Sequence, residues 1–108
     1  MNMIAKTPSP PYYAVIFSST RTEGDNAYSE MADKMIELAS KVDGFLGVES
    51  VREDLGITVS YWRDLEAIKK WKDNPEHKIA MEKGKSEWYE SFKVRVAMVE
   101  RDYGFEIE

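Results

Sequence analysis

Two tryptophans and the only histidine of the chain, Trp62, Trp71 and His77, fall close together in the sequence. Histidine exchanges protons near neutral pH without a large pKa shift, so His77 could act as a general base toward a phenol or a hydroquinone. An indole offers a flat face on which a planar aromatic compound can stack. The stretch therefore predicts a site for a small aromatic substrate, with His77 and Trp71 as catalytic candidates and Trp62 and Trp71 as its walls.

Each of these residues also has a purely structural interpretation. Tryptophan is mostly buried wherever it occurs, so Trp71 could be a core residue of a helix and Trp62 could hold that helix on a sheet. A single histidine, His77, could equally lie on the surface. Tyr13 and Arg52 are weaker candidates for substrate binding. The catalytic and the structural interpretations therefore both stay open at this point.

The residues around these candidates predict the elements that position them. Residues 56–62 are β-branched and aromatic, which is typical of a strand. Asp64 can cap the helix that follows, and Asn74 with Pro75 is a second cap with proline at the first helical position. Because Pro75 disfavours helical geometry at the residue before it, we expect two helical pieces, with His77 in the first turn of the second.

The whole chain follows a β-α-β-β-α-β order. The predicted elements are a strand at Tyr12–Ser19, a helix from Tyr28 to the Val42–Gly44 turn, strands at Phe45–Arg52 and 56–62, the broken helix to about Gly84, a turn at Glu87–Glu90 and a last strand at Phe92–Arg101. This order predicts an α+β fold, a ferredoxin-like sandwich in which an antiparallel sheet carries helices on one face. Residues 1–11 should form an extended arm that is poorly ordered at its start, and residues 12–108 a single domain.

The sheet is expected to be covered on its second face as well. The first, central and last strands carry apolar residues on both sides, whereas helices cover only one side. A second copy of the chain, packed sheet to sheet as a homodimer, is the simplest cover. The aromatic residues of the tail, 102–108, also need a surface on which to pack.

Composition excludes several classes of function. The 108 residues carry a net charge of −5 without a basic patch, which argues against nucleic acid and anionic membranes as partners. The chain has no cysteine and one histidine, which argues against disulfides and a dedicated metal site. No apolar run approaches membrane-spanning length and the start lacks a signal-peptide core, so we expect a cytoplasmic protein.

Two segments carry a resemblance to a known family. Residues 42–50 are similar to its Pro-Gly-Phe-x-Gly-x-Glu segment, with Asp43 where proline is common. Residues 57–77, with Trp71, are similar to its strand-to-helix signature. On these segments the chain, over about 12–101, resembles the antibiotic biosynthesis monooxygenase family of the dimeric α/β barrel superfamily.

The resemblance implies a homodimeric monooxygenase that uses no cofactor and acts with dioxygen on a small aromatic or quinol-like compound. The family also contains haem-degrading enzymes, which carry a first-strand asparagine, a second-helix tryptophan and a haem-ligating histidine ten residues later. Trp71 matches the tryptophan, but Met81 stands at the position of the histidine and the first strand has no asparagine. Haem turnover should therefore be absent or feeble. A haem-binding or haem-degrading protein and a non-catalytic, small-molecule-binding stress-response dimer stay open as alternatives.

Overall fold

The computed structural model describes residues 3–107, which form four strands and three helices. The strands are β1 (Tyr12–Arg21), β2 (Phe45–Arg52), β3 (Gly56–Trp62) and β4 (Tyr89–Val99); the helices are α1 (Tyr28–Ala39), α2 (Leu65–Lys72) and α3 (Pro75–Lys83), and a π-helical turn at Gly84–Trp88 leads into β4. The strands pair antiparallel in the order β2-β3-β1-β4. The predicted α+β, ferredoxin-like fold is confirmed.

The core on the helix side of the sheet is built around Trp62. Its side chain has no exposed surface and contacts Ala39 of α1 and Ala67 of α2. Both helices contribute a small residue at this point, so their backbones can approach the large indole closely. Partly buried apolar side chains surround this cluster: Val15, Val42, Phe45, Ile68 and Trp71. One tryptophan thus joins α1 and α2 to the central strands of the sheet.

Gly44 lets the connection between α1 and β2 pass close to α2. Its φ is +99°, which glycine adopts without steric cost. A Cβ at this position would lie 2.6 Å from the Cβ of Ala67, closer than two carbons can approach. The first helix was expected to reach the Val42–Gly44 turn, but α1 ends earlier, at Ala39.

The start of the last strand differs from the prediction. The sequence favoured a turn at Glu87–Glu90, whereas the chain forms the π-helical turn up to Trp88 and enters β4 at Tyr89. The buried Trp88 explains the difference, since its Nε1 donates to the carbonyl of Asn26, 2.9 Å away, and its own carbonyl accepts from the amide of Thr22. These long-range bonds hold the turn against the end of β1.

Both predicted helix caps are formed. The carboxylate of Asp64 accepts a hydrogen bond from the amide of Ala67, 2.8 Å away. The side-chain oxygen of Asn74 accepts from the amides of Glu76 and His77, at 2.9 and 3.2 Å. The predicted break at Asn74–Pro75 is confirmed, because α2 and α3 are separate helices and His77 lies in the first turn of the second.

The helix-free face of the sheet is partly covered by the N-terminal arm. The amide of Ala5 donates to Glu49 on β2, 2.9 Å away, and Thr7 donates to the hydroxyl of Tyr12. Glu49 also accepts from Tyr61, and burial together with this bond raises the pKa of Tyr61 to about 12. The expected poor order at the start of the arm concerns Met1 and Asn2, which lie outside the described residues. Packing of this face against a second copy stays a prediction.

The expectation that the last strand is apolar on both sides holds on the helix-free side only for Ala97 and Val99, which lie opposite Ala14 and Tyr12 of β1. Earlier in the strand, the same side carries Lys93 and Arg95, opposite Ser18 and Ile16 of β1.

Among the residues described, no helix has the length and apolar character that crossing a membrane requires. The cytoplasmic location stays a prediction.

We expect the substitution Asn74→Ala to lower the free energy of unfolding by about 1 kcal/mol, because two amides of the first turn of α3 lose their acceptor. Urea denaturation followed by tryptophan fluorescence measures this change. The control is Asn74→Asp, which keeps an acceptor oxygen and should stay close to the original stability. Equal losses in both variants would contradict the capping role.

Candidate functional site

The candidate residues fall into two groups at opposite ends of the sheet. One group consists of Tyr13, Trp62, Trp71 and His77, and the other contains Arg52. Trp62, at the end of β3, is the Cα partner of Tyr13 on β1, and it shares the helix-side core with Trp71. Arg52 is the last residue of β2, whereas Phe45, the first residue of that strand, is the one that pairs with Trp62. A strand of eight residues spans roughly 23 Å, so Arg52 lies far from Trp62 and from Trp71, which packs against it.

Trp71 and His77 form a stacked pair at the corner between α2 and α3. Their ring centroids are 4.4 Å apart and the ring planes differ by 13°. Asn74 caps α3 between them and thereby fixes the direction in which His77 leaves the helix. We call this pair the Trp71–His77 stack. One face of the indole is occupied by the imidazole, so an aromatic ligand would meet the edge of the stack or the opposite faces of its two rings.

The main chain fixes the tautomer of His77. Its Nδ1 lies 3.1 Å from the carbonyl oxygen of Trp71. A carbonyl oxygen only accepts hydrogen bonds, so Nδ1 carries the proton and Nε2 keeps a lone pair. Burial lowers the pKa of His77 below its ordinary value, and the bond to the carbonyl opposes this effect only in part. His77 is therefore a neutral base at neutral pH, with Nε2 as its accepting atom.

Trp62 is a packing residue in this arrangement. Its ring meets the ring of Phe45 edge to face at 5.3 Å, and its Nε1 donates to the hydroxyl of Ser60, 2.8 Å away. The indole N–H is satisfied and the ring has no exposed surface. Trp62 therefore supports the Trp71–His77 stack from the core. Its direct contact with a substrate stays a prediction.

Arg52 belongs to a second group of polar and aromatic side chains, which sequence reasoning missed. Arg52 donates to the buried hydroxyl of Ser19, and its guanidinium carbon lies 5.9 Å from the ring centre of Tyr28. The guanidinium carbon of Arg21 lies 3.7 Å from the same centre, a cation–π distance. The hydroxyl of Tyr89 approaches that of Tyr28 to 3.4 Å, and burial followed by this bond raises the pKa of Tyr89.

We call these residues the arginine–tyrosine cluster: Arg21, Tyr28, Arg52 and Tyr89. None of the ion pairs formed within residues 3–107 includes Arg21 or Arg52, so two positive charges lie beside two phenols without a carboxylate. The cluster would attract an anionic group. The strand register is the signal that could have found it, because it aligns the ends of β1 and β2.

Two open grooves lie elsewhere on the described surface. One, of about 600 Å³, is lined by residues 98–101 at the end of β4. The other, of about 260 Å³, is lined by Leu55 and by residues of β1 and β4, including Lys93 and Arg95. Neither is lined by Trp62, Trp71 or His77, so the substrate pocket predicted between the sheet and α2–α3 stays a prediction. Among the described residues, no three His, Asp or Glu side chains are grouped to hold a metal ion.

Fold and sequence together define the class of protein, a ferredoxin-like α+β domain with helices on one face of its sheet. The sequence model of the antibiotic biosynthesis monooxygenase family matches residues 11–83. The chain therefore belongs to the antibiotic biosynthesis monooxygenase family. A Bacillus subtilis (strain 168) protein described as uncharacterized protein YqjZ is 56% identical over 108 residues, which cover 98% of this chain and 95% of that protein.

Solved structures share the fold at low sequence identity. Protein SO0527 from Shewanella oneidensis has a TM-score of 0.73 at 16% identity, over 89% of this chain and 97% of that one. SnoaB, described as a cofactor-independent oxygenase from Streptomyces nogalater, has a TM-score of 0.68 at 9% identity, over 88% of this chain and 97% of that one. At these identities the similarity concerns the fold alone.

The neutral state of His77 generates a prediction about pH. Because its pKa is lowered in the folded protein, the unfolded chain binds the proton first as pH falls below about 6.5. The stability that the folded protein gains by keeping His77 neutral is fully present above about pH 6.5. It is lost as the pH falls toward the pKa of His77 in the folded protein. His77 is the only histidine, so one imidazole signal reports the titration by NMR.

The same NMR experiment tests the tautomer. We expect ¹⁵N shifts that show a protonated Nδ1 and an unprotonated Nε2 at neutral pH, together with a midpoint below 6.5. The variant Asn74→Ala, which loosens the first turn of α3, should move the midpoint toward the ordinary value. A proton on Nε2, or a midpoint at or above 6.5, would contradict the buried, carbonyl-bonded imidazole.

Proposed function

We propose that this protein is a homodimeric monooxygenase that uses no cofactor and oxidises a small aromatic or quinol-like compound with dioxygen. The observation that carries the proposal is the neutral imidazole of His77, held on Trp71 with the lone pair of Nε2 unused by the main chain. A base of this kind is what a phenolic substrate needs before it can react with oxygen. The membership of the family adds support.

The proposed reaction balances without an external reductant. Nε2 of His77 takes the hydroxyl proton of a phenol, and the phenolate gives one electron to dioxygen. The ring radical and superoxide then combine, which forms a carbon–oxygen bond and, with the proton returned by His77, a hydroperoxide. Loss of the ring hydrogen and the distal hydroxyl as water breaks the O–O bond and leaves a quinone. One oxygen atom enters the product and the other leaves as water.

The protein contributes position and protonation state to these steps. The carbonyl of Trp71 holds Nδ1, so the imidazole cannot rotate to present the wrong nitrogen. The Trp71 ring and the core behind it shield the stack from water, which keeps the imidazole neutral. Dioxygen and an aromatic ring both favour such an apolar surrounding. SnoaB, a fold neighbour, is described as a cofactor-independent oxygenase, which agrees with this class of chemistry.

We expect His77→Ala to leave aromatic ligand binding within a few-fold of the original and to lower oxygen consumption by about a hundredfold or more. A panel of phenols, hydroquinones and naphthols in an oxygen electrode gives the rate, and quenching of tryptophan fluorescence gives binding. Lys78→Ala is the matched control, since this exposed residue is the neighbour of His77 on α3. Its rate should equal that of the original chain.

A second variant separates the role of the Trp71 ring from that of its carbonyl. In Trp71→Phe the bond to Nδ1 is retained but the smaller ring buries the imidazole less, so ligand binding should weaken and the midpoint of the pH profile of turnover should move toward the ordinary pKa of histidine. Binding without oxygen consumption in the original chain would favour the alternative of a non-catalytic small-molecule-binding dimer. Unchanged turnover in His77→Ala would contradict the proposed base.

Haem turnover is expected to be absent or feeble. Met81 on α3 stands where the haem-degrading branch has its histidine, and a buried or half-buried methionine usually packs rather than ligates. Titration with haemin, followed by ascorbate, should leave the Soret band in place. Stoichiometric haemin binding with reductant-dependent loss of that band would establish the haem-degrading alternative instead.

A further inference from the structure

The arginine–tyrosine cluster carries hydrogen-bond donors that the chain leaves unused. Arg21 donates through Nε and Nη2 to the main-chain carbonyls that surround it. Arg52 donates through both of its Nη atoms to Ser19, whose hydroxyl is buried. Within residues 3–107, Nη1 of Arg21 and Nε of Arg52 have no acceptor. Each guanidinium therefore keeps one nitrogen available to a ligand.

The Tyr28 hydroxyl is a third free donor. The hydroxyl of Tyr89 donates to it across 3.4 Å. Burial, followed by this bond, raises the pKa of Tyr89, and Arg52 and Arg21 oppose the effect only in part, so both phenols stay protonated at neutral pH. Since the Tyr28 hydroxyl already accepts from Tyr89, its own proton is directed elsewhere. In the part of the chain that the structure describes, that proton has no acceptor.

No carboxylate among residues 3–107 compensates the two cluster cations. Asp25 offers its main-chain carbonyl to Arg21, at 3.4 Å, but its carboxylate accepts from the first turn of α1, at 2.7 Å. Arg63 differs, because it pairs with two aspartates at 3.0 and 3.1 Å. Arg21 and Arg52 are half-buried, and a half-buried cation without a counter-ion loses hydration without an ionic partner. The arrangement suits an anion that a ligand supplies.

Two buried glycines fix the position of the cluster. A Cβ at Gly56 would overlap the guanidinium of Arg52, so the guanidinium lies directly on the backbone of this glycine. A Cβ at Gly84 would lie 2.8 Å from the ring of Tyr89. Both side chains therefore depend on a neighbour that has none. Groups held in this way lose little freedom when a ligand binds, which favours binding.

An apolar surface continues from the cluster along β1 and β4. Phe92 lies opposite Ser19, and Val94 lies opposite Phe17. The rings of Phe17 and Phe92 are stacked with centroids 5.4 Å apart, and Phe17 meets Tyr89 edge to face at 5.3 Å. Both phenylalanines are half-buried, and Val94 is 44% exposed. A ligand held at the cluster by its charged end can lay an aromatic body on this surface.

We propose that the arginine–tyrosine cluster binds a small aromatic carboxylate. The guanidinium carbons of Arg21 and Arg52 lie 3.7 and 5.9 Å from the centre of the Tyr28 ring, so one carboxylate can reach both cations. Its two oxygens offer four lone pairs, enough for the two free guanidinium nitrogens and the Tyr28 hydroxyl. Its ring would lie on Phe17 and Phe92.

This site is distinct from the Trp71–His77 stack. Val15 packs against the helix-side core, and Phe17 and Ser19 follow it at every second position of β1, so the cluster lies on the helix side. The stack lies at the other end of the sheet, where a one-ring ligand bound to the cluster does not reach it. The inference therefore does not depend on the proposed function, and a second copy on the helix-free face would leave the site accessible.

The experiment compares three probes by isothermal titration calorimetry. Benzoate should bind at least about tenfold more tightly than benzamide, which has the same shape without the charge. It should also bind more tightly than inorganic phosphate, which has the charge without the ring. Added salt should weaken the binding of benzoate. Equal binding of benzamide, tighter binding of phosphate, or no binding of benzoate would overturn the proposal.

Two variants and a matched control locate the site. Arg52→Gln should weaken benzoate binding by roughly tenfold or more. Tyr28→Phe, which keeps the ring and its packing, should weaken it several-fold. Arg101→Gln changes the net charge as Arg52→Gln does, at an exposed residue beyond the far end of β4, and should bind benzoate as the original chain does. Equal losses in Arg52→Gln and Arg101→Gln, or unchanged binding in Tyr28→Phe, would overturn the site.

A last measurement separates this inference from the proposed function. His77→Ala should bind benzoate as tightly as the original chain, because His77 lies with the stack. Loss of benzoate binding in this variant would place the ligand at the stack and overturn the cluster site. Benzoate binding that depends on Arg52, in a protein that consumes no oxygen with any phenol, would support the cluster site and overturn the proposed oxygenase.

Discussion

The burial of Trp62 is the contact on which the rest of the structure depends. Its ring lies where the end of β3 meets α1 and α2, and the alanines that it touches allow both helices to approach. Removing this ring would leave a cavity shared by the sheet and both helices, a loss of about 3–5 kcal/mol for a large aromatic residue. That is a substantial part of the stability of a domain of this size. The same contact holds the start of α2 against the sheet and, six residues further along that helix, positions Trp71 beside the core.

The proposed chemistry lies at the break between α2 and α3. Pro75 removes one amide and Asn74 caps two others, so the chain can turn sharply without leaving polar groups unsatisfied. The carbonyl of Trp71 at the end of α2 then becomes available to the histidine that begins α3. A break in a helix is usually a cost to stability. Here it places a main-chain acceptor beside an imidazole and sets its tautomer.

The two edges of the sheet differ in how they are covered. At the β2 edge the chain supplies its own cover, because Ala5 and Glu49 tie the N-terminal arm across the helix-free face. At the β4 edge Val94, Val96 and Met98 stay partly exposed, and the side chains of Tyr103, Phe105 and Ile107 in the tail are exposed as well. Unsatisfied edges are rare in stable monomers because they invite association.

The sequence by itself determined the order of elements, both helix caps, the helix break and the family, because these depend on local backbone chemistry and on spacing along the chain. It also indicated that Trp71 and His77 belong to one segment. It could not determine their stacking or the tautomer of His77, which depend on the angle between α2 and α3. Arg52 was a candidate for substrate binding from the sequence, and that role stays a prediction. Only the registers of β1 and β2 against β3 revealed that Arg52 lies with Arg21 and Tyr28, far from Trp71, because register is set by contacts between residues distant in sequence.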